Sequence, residues 1–169
     1  GKNPTTIFAD ADWEKMMSTV IRSSFSNQGQ ICLCGSRLLI EDSIYDRFKL
    51  AFVERVSQLK VGDPLDANSR QGAIVSKLHH DKIVGCIETA REEGGIILCG
   101  GNSYNPGGRC EHGFFIEPTV IENLGPHCET NQEEIFGPVV TLQRFQKTEE
   151  AIQLANASRY GLAASVWTQ

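Results

Sequence analysis

Long apolar runs are missing from this sequence: none approaches the roughly 18 residues that a membrane-spanning helix needs. No secretory signal opens the chain, and no internal repeat or low-complexity tract interrupts it. Positive charge is also scarce. The net charge of −5 leaves no basic face to neutralise phosphates, so a nucleic-acid partner is not expected. The six cysteines form no C-x-x-C pair, and no histidine stands at a zinc-like offset from two of them. A structural zinc site is therefore not expected, nor any other metal. Cys32, Cys34, Cys86, Cys99, Cys110 and Cys128 are scattered, as suits free thiols in a reducing compartment, most simply the cytoplasm.

What remains is an ordinary globular composition, 40% hydrophobic and 22% charged, over 169 residues that are enough for one domain with its own core. Trp13, Met16, Met17, Val20, Ile21 and Phe25 recur at spacings of three and four. That spacing predicts a helix from Asp10 to Gln30, capped by Asp10 or Asp12 and broken at Gly29. Arg37–Glu41 reads as a short buried strand and Ser43–Leu59 as a second helix. After the Gly62-Asp63-Pro64 turn, Ser76 should cap a third helix that stops at Gly94-Gly95. Ile96–Cys99 reads as a strand, and Gly100–Gly113 as an exposed loop. Phe114–Ile121 and Pro138–Phe145 should be extended, Thr148–Ser158 helical, and Ala163–Trp167 a final strand. Strands alternating with helices indicate an α/β fold with an open, largely parallel sheet flanked by helices. Gly1 falls in a segment that already looks structured and Gln169 follows a strand, so both ends read as cuts through a larger protein.

Acyl-transfer chemistry needs a thiolate where main-chain N–H groups are free to receive an oxyanion. Cys32 lies between a helix end and a strand, behind Gly29, where loops held by rigid elements commonly carry reactive groups. On pattern alone a small buried hydrophobe is the competing reading. Cys34, two residues on, would face the opposite way in an extended segment and is expected to be a packed thiol. For Glu134 and Phe136 the competing reading is a capped turn before a strand, and His80 reads as part of a polar helix face.

Three segments, in order, carry a resemblance. Phe25–Cys32, with Gly29-Gln30-x-Cys32 at its centre, resembles the cysteine signature of the aldehyde dehydrogenase family. Gly1-Lys2-Asn3-Pro4 is similar to the tail of that family's glutamate signature. Glu133-Glu134-Ile135-Phe136-Gly137-Pro138 resembles the segment that its members place against their cofactor. The resemblance implies that residues 1–169 are part of a catalytic domain, with the NAD(P)-binding and oligomerisation segments lying elsewhere. It implies that Cys32 attacks an aldehyde, that hydride passes to NAD or NADP, and that the thioester formed is hydrolysed. It makes the Cys32 N–H one side of the oxyanion hole. It assigns Glu134 to the nicotinamide ribose, Phe136 to the same nucleoside, and Lys82 and His79 to the same neighbourhood, although many members carry Gln where His79 stands. Phe25, Ser26, Ile31 and Leu33 would border the aldehyde pocket, and the whole subunit would be a homodimer or homotetramer. Ile31–Arg37 looks most like the branch that oxidises muconic-type semialdehydes, such as the 2-aminomuconic and 2-hydroxymuconic ones. The family's glutamate base and oxyanion-hole asparagine would precede Gly1. A CoA-acylating semialdehyde dehydrogenase, and a catalytically inert fragment with a binding role, stand as the alternatives.

Overall fold

The computed structural model describes all residues, Gly1–Gln169. Eight strands and five helices follow in the order β1 Asn3–Ile7, α1 Trp13–Phe25, β2 Gly35–Glu41, α2 Asp42–Ser57, α3 Lys77–Glu92, β3 Ile96–Cys99, β4 Ser103–Tyr104, β5 Phe115–Ile116, β6 Thr119–Glu122, α4 Glu129–Gln132, β7 Val139–Phe145, α5 Thr148–Ala155 and β8 Ser165–Trp167. Six of the strands form one sheet in the order β3-β6-β7-β2-β1-β8. Only the β3–β6 pairing is antiparallel; β6–β7, β7–β2, β2–β1 and β1–β8 are parallel. The expected open, largely parallel α/β sheet is the observed one. No helix is long and apolar enough to cross a membrane.

Strand periodicity places the core on both faces. Leu38 and Ile40 of β2, with Val140 and Leu142 of β7, pack against Met16, Met17 and Val20 of α1 and Phe48, Phe52 and Val56 of α2. Phe48 and Phe52 stack with centroids 5.2 Å apart, which sets α2 on the sheet. The alternate residues turn the other way. Val139 and Ile121 meet Ile83 and Ile87 of α3, while Leu39 and Phe145 meet Ala151 of α5. A sheet buried on both faces explains the unbroken Leu38-Leu39-Ile40 run of β2.

Several boundaries differ from the sequence reading. The first helix spans 13 residues rather than Asp10–Gln30. Asp12, not Asp10, caps it by accepting the Lys15 N–H at 3.1 Å. At its other end Asn27 and Gln28 take left-handed conformations that stop the helix ahead of Gly29. The stretch Gly100–Gly113 holds β4, which pairs with β5, and a short 3-10 turn over Gly108–Cys110. Helix α5 stops at Ala155 rather than Ser158. Strand β1 and the four-residue α4 were not anticipated at all. The cap on α3 is as expected: the Ser76 hydroxyl accepts the His79 N–H at 3.2 Å.

Candidate active site at the amino ends of three strands

Asn3 lies level with Gly35 in the β1–β2 register, and Arg37 with Thr141 in the β2–β7 register. The segments entering β1, β2 and β7 therefore meet at one edge of the sheet. Open α/β sheets usually bind ligands beyond the carboxyl ends of their strands. Here the three motif-bearing segments gather at the amino ends.

The segment entering β2 is a chain of tight turns. Asn27, Gln28 and Gly29 have φ of 50°, 58° and 68°. Left-handed residues usually occur singly, and each non-glycine one costs about 1–2 kcal/mol. The glycine is required twice over. Its φ is positive, and a Cβ on it would stand 2.0 Å from the Gly137 carbonyl oxygen. The main chains of the cysteine segment and of Glu133–Pro138 thus touch directly, with no side chain between them. Val75 N–H donates to Gln30 Oε1 at 3.0 Å, and Gln71 Nε2 to the Phe25 carbonyl at 2.9 Å, so the stretch before α3 braces the turn.

Ile31–Cys34 is then a turn closed by Cys34 N–H donating to the Ile31 carbonyl at 3.1 Å, not the extended segment expected. The outcome for the two thiols is nevertheless the expected division. Cys32 is exposed and Cys34 is 8% exposed. The Cys34 thiol lies 3.8 Å from the Ser26 carbonyl, and burial pushes its pKa up. The Cys32 N–H donates to no group in the chain. Asn3 turns the carbonyls of the turn inward, its Nδ2 donating to Cys32 O at 2.6 Å and to Cys34 O at 3.1 Å.

The segment entering β7 forms a strap beside this turn. Phe136 is half-buried with φ 60°, a conformation disfavoured for a bulky side chain. Helix α3 holds it there. Lys82 Nζ donates to the Glu134 carbonyl at 2.9 Å, and His79 Nε2–H donates to the Phe136 carbonyl at 2.6 Å. A carbonyl only accepts, so that contact places the His79 proton on Nε2. The Glu134 carboxylate, 32% exposed, contacts the amino group of Gly1. Gly29, Ile31, Cys34, Glu134, Phe136 and Gly137 line one crevice of about 10 Å³.

Of the residues singled out from the sequence, Ile31, Glu134 and Phe136 line this crevice, with Lys82 and His79 one layer behind, on the strap's main chain; Cys32, next to Ile31, is exposed on the turn and is not part of the lining. Leu33 is 59% exposed on the outer side of the turn. Ser26 is half-buried, its hydroxyl bonded to the Arg22 carbonyl at 2.6 Å. Phe25 departs from its expected place at the pocket. It is 1% exposed and packs in the core against Phe52, because it occupies the last apolar position of α1.

Three residues of the site escaped the sequence reading: Asn3, Gln71 and Arg37. Arg37 carried a visible signal, a charge within an apolar strand. It is fully buried, with Nε donating to the Lys2 carbonyl at 2.9 Å and its NH groups to the Leu154 and Ala155 carbonyls at 2.8 and 2.9 Å. Those last two carbonyls end α5, where a cation complements the helix dipole. Lys2 beside it is 2% exposed, its ammonium donates to no group, and burial pushes its pKa down to about 8.

A much larger hollow, about 660 Å³, lies elsewhere, among Tyr45, Lys49, Glu122, Gln143 and Arg144. Its charges satisfy one another: Glu122 accepts from Tyr45 at 3.0 Å and from Lys49 at 3.1 Å, and Arg144 pairs with Asp42 at 2.8 Å. No group of three or more His, Cys, Asp and Glu side chains converges as a metal position.

An exposed cysteine on a braced turn thus stands beside a carboxylate-bearing strap joined to that turn main chain to main chain. The aldehyde dehydrogenase family model matches residues 1–169, and the chain belongs to that family. More particularly, it is 43% identical over 168 residues to a 2-aminomuconic 6-semialdehyde dehydrogenase of Pseudomonas sp, covering 99% of this chain and 34% of that protein. It is 46% identical over 170 residues to the 2-aminomuconic semialdehyde dehydrogenase of Bos taurus, covering 99% of this chain and 35% of that one. A betaine aldehyde dehydrogenase from Staphylococcus aureus, solved in complex with NAD+, superposes with TM-score 0.96 at 41% identity over 100% of this chain and 33% of its own. The chain spans about a third of the length of the curated relatives it matches.

Proposed function

We propose that this chain is the cysteine-bearing part of an NAD(P)-dependent aldehyde dehydrogenase, with Cys32 as its nucleophile. The observation that carries this reading is the contrast within one turn: Cys32 exposed with its N–H free, Cys34 buried with its thiol engaged.

The Cys32 thiolate adds to the aldehyde carbon, forming a C–S bond and leaving negative charge on the former carbonyl oxygen. The free Cys32 N–H donates to that oxygen. Glu134 and Phe136 fit a nicotinamide nucleoside: a carboxylate accepts both hydrogen bonds of a vicinal diol, and an aromatic face lies beside it. When bound, NAD(P) supplies the hydride acceptor that lets the adduct become a thioester. Lys82 and His79 support this from behind, fixing the strap through its carbonyls rather than through the ligand. Cys34, held protonated by burial, does not compete for the aldehyde. The thioester is then open to water from the exposed side of the turn.

Within this reading the substrate is a muconic-type semialdehyde, supported by the names of the relatives at 43% and 46% identity. The whole enzyme is a cytoplasmic homodimer or homotetramer, testable by light scattering on the full-length protein. The deciding experiment is Cys32→Ala in that protein. Aldehyde-dependent NAD(P) reduction should vanish with the circular dichroism spectrum unchanged, and retained activity overturns the assignment. A kcat/KM for a carboxylate-bearing semialdehyde no higher than for a simple aliphatic aldehyde removes the narrower substrate claim.

A further inference from the structure

Asn3 is 4% exposed, yet its side chain makes three hydrogen bonds, all to main-chain groups. Its Nδ2 donates to the carbonyls of Cys32 at 2.6 Å and Cys34 at 3.1 Å. Its Oδ1 accepts the Ala163 N–H at 3.2 Å, just ahead of β8. Both amide protons and one lone pair are thereby used, so the amide has a single orientation. Two carbonyls drawn onto one nitrogen turn the inside of the Ile31–Cys34 loop toward the sheet. Its opposite side, with the Cys32 N–H and the Cys32 side chain, is left facing out.

The support for Asn3 is itself rigid. Arg37 grips the carbonyl of Lys2, the residue before Asn3, and through its other nitrogens the end of α5. Asn3 also stands in register with Gly35, the first residue after the turn. A side chain fixed at both ends therefore holds the carbonyl of Cys32 itself. We propose that Asn3 is the positioning residue for Cys32, fixing the carbonyl side of its α-carbon and with it the pose of its thiol without touching substrate. This rests on Cys32 being the nucleophile.

The test uses the full-length enzyme with Asn3→Asp, which keeps the shape and removes both donors, and Asn3→Ser, which keeps one hydroxyl donor at shorter reach. Displacement of a reacting group by about an ångström is enough for a roughly 100-fold loss of rate. Asn3→Asp should lower kcat about 10- to 100-fold with KM changed less than about 3-fold, and Asn3→Ser should fall between it and the parent. The second-order rate of Cys32 alkylation by iodoacetamide, followed by peptide mass, should drop and its pH profile should move. A residue that merely holds β1 in place would lower the melting temperature and leave the alkylation profile of folded protein unchanged. That result, or kcat within 2-fold of the parent in folded Asn3→Ser, overturns the proposal. If Asn3→Asp fails to fold, Asn3→Ser decides alone. Cys32→Ala run in parallel separates the two claims: activity there defeats the nucleophile assignment, whereas an inactive Cys32→Ala beside unaltered Asn3 variants defeats only this one.

Discussion

Three loops of this molecule run through successive residues of positive φ, and two of them manage it by opposite means. In Asn27-Gln28-Gly29 two of the three carry side chains, whereas Gly107-Gly108, with φ of 72° and 55°, carry none. A Cβ added at either Gly107 or Gly108 would meet nothing within 4 Å. The second loop is tied mainly to itself, by Gly107 N–H on Asn105 Oδ1 at 2.8 Å and Cys110 N–H on the Gly107 carbonyl at 3.1 Å. The first is tied to distant parts of the chain, through Gln71, Val75 and Gly137. Where glycine relieves the backbone the loop needs little support. Where it does not, the surrounding fold must hold the strained form, and strain of that kind gathers at functional sites.

The largest effect expected of this contrast is at Gly29. Gly29→Ala adds a clash with the Gly137 carbonyl to an unfavourable φ, and should destabilise the protein by about 2–5 kcal/mol in denaturant unfolding. Gly107→Ala meets only the conformational cost and should lose about 1–2 kcal/mol. Equal losses would erase the distinction between the loops.

The site bears a second burden in Lys2, and here pH gives the sign. Its pKa is about 8 in the folded protein against an ordinary 10.5. Between those values the unfolded chain holds a proton that the folded one lacks, so stability rises with pH across that window and is lowest, and flat, below it. Lys2→Met should therefore raise stability near neutrality by roughly 2–3 kcal/mol, and the advantage should shrink to nothing by about pH 10.5. A gain that does not vary with pH would mean that packing, not charge, makes the difference.

The smallest expected effect lies away from both loops. Gly85 is exposed inside α3, with no contact waiting for a Cβ and no positive φ. Gly85→Ala should stabilise by about 0.5–1 kcal/mol, visible as a small rise in melting temperature.

The sequence showed the parts of the fold that depend on local periodicity. The apolar spacing of α1, the Ser76 cap, the short apolar run of β2 and the extended β7 all read correctly because neighbours in sequence decide them. Strand β1 did not, since Asn3-Pro4-Thr5-Thr6-Ile7 is mostly polar and becomes a strand only between β2 and β8. At the site, the motif residues Cys32, Glu134 and Phe136 were visible. Asn3 and Gln71 were not, because they act on main-chain carbonyls far along the chain, and nothing local marks such a partner. The misplacement of Phe25 has the same origin. Motif proximity put it near the nucleophile, whereas helix phase turns it into the core.

The contact between Gly29 and Gly137 makes the cysteine-bearing turn and the Glu133–Pro138 strap a single mechanical part. Side chains at a joint can rotate to absorb a displacement; two abutting main chains cannot. Any displacement of Phe136 would therefore reach, one residue later, the turn that carries Cys32, with no side chain between them to absorb it.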